Sequence, residues 1–175
     1  MAAALRARGE AVAEEALRGL SPDGDCPQSC SVIVLGVGNR LRGDDAVGCV
    51  LCDELSGKVE AEVIDSGDTP ENYVEPVAKL RPRRILVIDC CDFGAEAGEF
   101  RLFSRQELEE LSYGLLSTHT LPLSLTVELL ALETGATIQL LGIQPERIEF
   151  GTDLSPSVQA ALPALVERVR AWVSA

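Results

Sequence analysis

Short apolar runs alternate along the chain with amphipathic stretches, from about residue 31 to the C-terminus. Apolar runs bounded by turn residues predict buried strands, and apolar positions three or four apart predict helices with one buried face. The predicted strands, of which the short fourth is expected at an edge, are Ser31–Val37, Val59–Ile64, Arg84–Asp89, Glu99–Phe103 and Thr137–Ile143. The predicted helices are Asp45–Leu55, Glu71–Leu80, Arg105–Leu111, Leu121–Glu133 and a last one capped by Ser155.

This alternation predicts an α/β fold, a three-layer structure in which a twisted, mostly parallel sheet carries helices on both faces. Ligands of such sheets bind beyond the carboxyl ends of the strands, where the strand order reverses. If the order is of the flavodoxin type, strands one and three are neighbours at that point. Asp45 follows strand one and Asp89 ends strand three. Both carboxylates are then expected to face one cleft.

The first thirty residues differ in character from the rest. Ala2–Leu20 has an amphipathic helical pattern interrupted by glutamates, and Ser21–Cys30 is a polar linker that contains proline and glycine. The stretch lacks the continuous apolar core of a signal sequence. We therefore predict an N-terminal extension over residues 1–30 and a single α/β domain over residues 31–175.

The charge balance excludes several classes of partner. The chain has 175 residues and a net charge of −13, which argues against nucleic acid and anionic membrane surfaces as partners. Its apolar runs are too short to span a bilayer. We predict a cytoplasmic protein, in which the six cysteines are mostly reduced thiols.

The turn between strand one and helix one is rich in glycine and reads GVGNRLRGDDAVG, from Gly36 to Gly48. It lacks the third glycine of the dinucleotide motif and the lysine of the P-loop, and its two aspartates would repel a phosphate. The turn therefore favours a cation or a polar neutral group as ligand. Asp45 is expected to point into the cleft, whereas Asp44 is expected to cap the helix or face solvent.

His119 is the only histidine of the chain and precedes an apolar helix. Together with Asp45 and Asp89 it would form an oxygen-and-nitrogen site with open positions, which suits nickel or zinc. Each residue also has an ordinary explanation. Asp45 can be a helix cap, Asp89 a hydrogen-bond acceptor at a strand end, and His119 a side chain near a cap.

The cysteines offer a second arrangement for a metal. Cys26 and Cys30 of the extension, with Cys49 and Cys52 of helix one, could bind zinc and tie the extension to the domain. A pair of cysteines on a helix is, however, more often a pair of buried core thiols.

Five segments, taken together, resemble the maturation endopeptidases of nickel–iron hydrogenases, and most closely the branch that processes the hydrogenase of formate hydrogenlyase. The resemblance covers nearly everything from Val32 to the C-terminus. The five segments are, in order, GVGNRLRGDDAVG, DSGDTPEN, RPRRILVIDCCDFGAEAGEFRL, THTLPLSL and LGIQPERIEFG.

The resemblance implies a peptide hydrolase that removes a C-terminal extension from the large-subunit precursor of a nickel–iron hydrogenase after nickel insertion. It implies that Asp45, Asp89 and His119 form the catalytic and metal-binding set, the divalent metal being nickel supplied by the substrate. The chain itself is expected to be a monomer.

The resemblance also implies that the substrate-binding residues are Asn39, Asp65 and Gly67. Asp65 matches another acidic position that the family uses near the cleft. The family's second loop commonly begins with aspartate and two glycines, whereas this chain has Ser66 in the middle position.

The chemistry fits an aspartate-dependent, metal-directed hydrolysis. No second histidine is left to activate a serine, and Asp44 and Asp45 are adjacent, so their side chains diverge instead of sharing a proton as in a pepsin-like dyad. Two alternatives stay open at this stage. One is a nickel-checkpoint protein that binds the precursor without cleaving it, and the other is a metallohydrolase with resident zinc.

Overall fold

A computed structural model of the chain describes residues 32–111, 123–151 and 153–175. The strands are β1 (Val32–Gly36), β2 (Glu62–Asp65), β3 (Arg84–Cys90), β4 (Phe100–Ser104) and β5 (Thr137–Ile143). The helices are α1 (Val47–Leu55), α2 (Val74–Lys79), α3 (Arg105–Leu111), α4 (Leu123–Thr134) and α5 (Pro156–Val173). Two 3₁₀ turns, Gly43–Ala46 and Pro70–Tyr73, lead into α1 and α2.

The five strands form one sheet in the order β2-β1-β3-β5-β4. All neighbouring pairs are parallel except β4 and β5, which are antiparallel, so β4 is the edge strand that the sequence predicts. The order matches the flavodoxin type over its first three strands, with β1 between β2 and β3 and Gly36 paired with Ile88, whereas the antiparallel β4 lies outside β5. The predicted α/β class and the mostly parallel sheet are confirmed.

Helices cover both faces of the sheet. Alternate strand residues point to opposite faces, and on each face they pack with helix residues in a separate hydrophobic cluster. Ile33 and Val87 belong to the cluster that includes residues of α2, α3 and α4. Val34 and Leu86 belong to the cluster that includes residues of α1 and α5. Strands buried on both faces read as continuous apolar runs, which is why β1 and β3 were recognisable in the sequence.

The C-terminal helix begins as its sequence predicts. The Ser155 hydroxyl accepts a hydrogen bond from the Val158 amide at 3.3 Å, and Pro156 occupies the first helical position. At the other end, the Arg84 guanidinium stacks on the Trp172 ring at 4.1 Å and donates to the Trp172 carbonyl at 2.6 Å. These contacts fix α5 along the sheet.

The predicted N-terminal extension, residues 1–30, lies outside the described residues, so its separation from the domain stays a prediction. In the three described ranges, no helix combines the length and the apolar character needed to cross a bilayer.

Candidate active site

The turn after β1 closes tightly over Asp45. Gly38 has a φ of +147°, and a Cβ there would lie 1.8 Å from the Asp45 carbonyl oxygen, so only glycine fits. The Asn39 amide donates to that carbonyl and to the Asp45 side-chain Oδ2, each at 3.1 Å. Asp45 is consequently 1% exposed and held in a defined position.

Asp89 stands at the same edge of the sheet as Asp45. It is the penultimate residue of β3, and it is 3% exposed. The Val37 amide donates to the Ile88 carbonyl at 2.8 Å, which joins the ends of β1 and β3 next to Asp89. Burial, and then the charges of Asp89 and Asp45, raise the pKa of the Cys90 thiol well above its usual range. The structure thus brings the two predicted carboxylates to the same edge of the sheet.

His119 lies outside the described residues. Within the ranges that are described, no group of three or more His, Cys, Asp or Glu side chains is arranged to hold a metal ion. The first residue of α4, Leu123, packs in the same hydrophobic cluster as Val37 and Cys91. The role of His119 stays a prediction.

Asp44 differs from the expectation that it caps a helix or faces solvent. It is 0% exposed. Its carboxylate accepts hydrogen bonds from the amides of Glu146 at 2.8 Å, Arg147 at 3.0 Å and Ser155 at 2.6 Å. The expectation of a solvent-facing side chain is wrong, because the 3₁₀ turn directs Asp44 towards a distant segment that the sequence does not reveal.

The end of β2 and the loop after it carry two of the predicted substrate-binding residues, Asp65 and Gly67, and this loop is bound directly to the turn after β1. The Gly38 amide donates to the Gly67 carbonyl at 2.9 Å, and the Ser66 hydroxyl donates to the Gly36 carbonyl at 2.8 Å. The Asn39 side-chain amide donates to Asp68 at 3.1 Å. The two loops therefore form one wall beside the carboxylates. Ser66, where the family commonly has glycine, contributes a buried bond of its own.

Arg40, which is absent from the predicted site residues, joins this wall to α1. Its guanidinium contacts Asp53 at 2.7 Å and Asp65 at 2.7 Å, and both carboxylates raise the pKa of Arg40. Burial acts to raise the pKa of Asp65, but hydrogen bonds from Arg40, the Gly67 amide and the Cys49 thiol lower it below its ordinary value. Asp65 is therefore a fixed anion. The two arginines of the turn, Arg40 and Arg42, close to two aspartates were the available signal for this role.

The described cysteines are free thiols packed in the interior. Cys49 donates to the Gly38 carbonyl and Cys52 to the Ile64 carbonyl, each at 3.4 Å. Burial raises the pKa of Cys52 to about 12. The geometry favours core packing over the zinc arrangement with Cys26 and Cys30, which lie outside the described residues.

An open cavity of about 390 Å³ lies between the turn and α1 on one side and the start of α5 on the other. Arg40, Val50 and Leu154 are among the residues that line it. Two large apolar side chains are exposed on adjoining loops nearby, Leu41 at 59% and Phe150 at 75%. The site thus has buried carboxylates at the sheet edge and open surface close to the turn.

Fold and site together define an α/β protein with a mostly parallel sheet and an acidic site at the point where the strand order reverses, between β1 and β3. The family model of the HycI hydrogenase maturation proteases matches residues 50–172. This chain belongs to the hydrogenase maturation protease family, whose members are peptide hydrolases, and the resemblance inferred from its sequence is confirmed.

Individual relatives agree with this assignment. The hydrogenase 3 maturation protease of Escherichia coli K12 is 31% identical over 142 residues, which cover 80% of this chain and 89% of that protein. A putative hydrogenase maturation protease of Methanocaldococcus jannaschii is 34% identical over 129 residues, covering 68% and 75%. The crystal structure of the [NiFe] hydrogenase maturation protease HycI from Thermococcus kodakarensis KOD1 superposes with a TM-score of 0.73 at 27% identity, covering 94% and 99%.

Proposed function

We propose that this protease removes a C-terminal extension from the large-subunit precursor of a nickel–iron hydrogenase, and that Asp45, Asp89 and His119 contact nickel carried by that precursor. The observation that supports the proposal most directly is that Asp45, in the turn after β1, and Asp89, near the end of the neighbouring strand β3, are both buried at the same edge of the sheet. The names of the relatives supply the substrate class. We expect the protein to act as a monomer in the cytoplasm.

The donor atoms fit a metal that arrives with the substrate. Two carboxylates and one imidazole suit nickel or zinc, and three protein ligands leave positions for groups of the precursor. Cys90, the residue after Asp89, packs in the hydrophobic cluster of α1 and α5, and burial raises the pKa of its thiol. A metal ion held there would orient the peptide and polarise its carbonyl or a water molecule.

The wall formed by the two loops has a separate role in the proposal. Asn39 holds the Asp45 carboxylate through its amide, while Gly67 and Asp65 fix the neighbouring loop. We expect the precursor's chain to run along this wall, with Asn39, Asp65 and Gly67 as its contacts.

The test is a processing assay with purified protein and nickel-loaded precursor, in which the mass of the large subunit is measured. Asp45→Asn, Asp89→Asn and His119→Ala should each abolish the loss of the extension while the variants unfold cooperatively. Glu75→Gln is the matched control, because its side chain is 75% exposed on α2 and the substitution removes a carboxylate charge away from the sheet edge and from the wall. Full processing by His119→Ala would refute the three-residue set.

Family membership favours cleavage over a checkpoint protein that only binds the precursor. Metal analysis of the protein as isolated distinguishes the alternative of resident zinc from the proposed site, which receives nickel with the substrate. We expect a nearly metal-free protein, because a site of two carboxylates and one imidazole binds a free ion only moderately. A stoichiometric zinc content that is needed for processing would replace the nickel proposal.

A further inference from the structure

Asp44 connects three parts of the chain that are remote in sequence. Its own amide donates to the Arg147 carbonyl at 3.0 Å, so the 3₁₀ turn and the segment after β5 are joined in both directions. One carboxylate oxygen accepts from the Glu146 and Arg147 amides, and the other accepts from the Ser155 amide. Ser155 is the cap of α5, so the same side chain also fixes the start of that helix.

The geometry of the turn makes this attachment matter for Asp45. Successive side chains of a 3₁₀ helix point about 120° apart, so the direction of one residue sets the direction of the next. Asp44 points towards the segment after β5, and Asp45 points towards the Asn39 amide. Holding the first carboxylate therefore fixes the rotation of the turn and the direction of the second.

We propose that Asp44 is a positioning residue of the processing site, which orients Asp45 without touching the substrate. The proposal rests on the role of Asp45 given under Proposed function. It assigns Asp44 a function beyond stability, because the same three amide bonds that bury Asp44 determine where the Asp45 carboxylate lies.

The Asp44→Asn variant tests the proposal with almost no change in shape. Both carboxylate oxygens act as acceptors, so an amide in either orientation presents its NH₂ group to at least one backbone N–H donor. The turn must then rotate or shift. We expect kcat for precursor processing to fall about 10-fold to 100-fold, as for a misplacement of about 1 Å, with KM changed less than about 3-fold.

The matched control is Val169→Ala, which opens a cavity in the core under α5 without touching the turn. Its kcat, measured well below the unfolding midpoints of both variants, should stay within about 2-fold of the unmutated protein, because cavity formation alone lowers stability. A second readout is the amide resonance of Asn39, which donates to Asp45 and should shift in Asp44→Asn only.

The Asp45→Asn variant distinguishes a failure of the positioning role of Asp44 from a failure of the proposed function of Asp45. If Asp45→Asn is inactive and Asp44→Asn has the kcat of Val169→Ala with an unshifted Asn39 resonance, the positioning role is overturned. If Asp45→Asn processes the precursor fully, the proposed function of Asp45 is overturned, and the Asn39 resonance alone decides whether Asp44 orients it.

Discussion

Replacing Gly48 by alanine sets two effects of known size against each other. Gly48 is the second residue of α1, and helix propensity alone favours alanine by about 1 kcal/mol. A Cβ at this position would, however, lie 2.1 Å from the Val37 carbonyl oxygen and 2.7 Å from the Ile88 carbonyl oxygen. Both neighbours are backbone atoms in the sheet, so no flexible side chain can move aside.

The steric effect is the larger one. To restore ordinary contact, α1 must move away from β1 and β3 by about 1 Å or more, and overpacking of this kind costs about 1–3 kcal/mol. Because the clash involves two strands, we expect the upper end of that range. After the gain in propensity, the free energy of unfolding should fall by about 2 kcal/mol, or about 4–8 °C in midpoint. Processing should fall as well, since α1 follows Asp45 directly.

Denaturant unfolding and the processing assay measure the two consequences. Gly57→Ala is the control, because Gly57 has a φ of +69° and open space around it, so alanine there introduces only backbone strain. It should lower stability and leave processing unchanged. A Gly48→Ala protein that is as stable as the unmutated one, or more stable, would show that propensity outweighs the close approach of α1 to the sheet.

Two further predictions concern the wall and the extension. Asp65→Asn should lower the free energy of unfolding at pH 7 by at most about 1 kcal/mol, because the Arg40 and Asp65 side chains are 47% and 32% exposed and partly screened. The pKa of Asp65 is lower in the folded state, so this stabilisation is present above the unfolded pKa of about 4 and is lost as the pH falls through the folded pKa. If urea titrations showed that the difference in unfolding free energy between the two proteins grows below pH 4, the prediction would be contradicted. Removing Met1–Ser29 should leave a folded protein, because the polar linker and the separate amphipathic pattern set the predicted extension apart from the domain. A loss of cooperative thermal unfolding would show that the extension is integral.

Most of the fold could be predicted because hydrophobic periodicity reports burial directly. The helix Arg105–Leu111 and the strand Thr137–Ile143 have the predicted bounds. Strand two begins later than predicted, at Glu62. Val59 and Ala61 are apolar because they pack on the hydrophobic cluster from a bend, without strand pairing. Apolar character alone does not distinguish a residue that packs on the core from a bend from one that pairs in a strand.

The site could be predicted only where it depends on strand order. Asp45 and Asp89 follow neighbouring strands, so the rule for parallel sheets brings them together. The contacts of Arg40 with Asp53 and Asp65 depend on how α1 and β2 pack beside the turn, which periodicity does not specify. The amide donors to Asp44 lie more than 100 residues further along the chain, in a segment whose composition resembles any loop.

The hydrogen bonds of Asp44 give a physical reason why the proposed nickel contact does not fall on that residue. An ionised carboxylate has about four acceptor sites, and three of those of Asp44 are filled by amides at 2.6–3.0 Å. A metal that approached Asp44 would have to displace backbone donors that are buried and have no other partner at hand, at a cost of about 1–3 kcal/mol for each one left unpaired. The backbone amides of the segment after β5 therefore assign Asp44 to positioning and leave the proposed metal contact to Asp45.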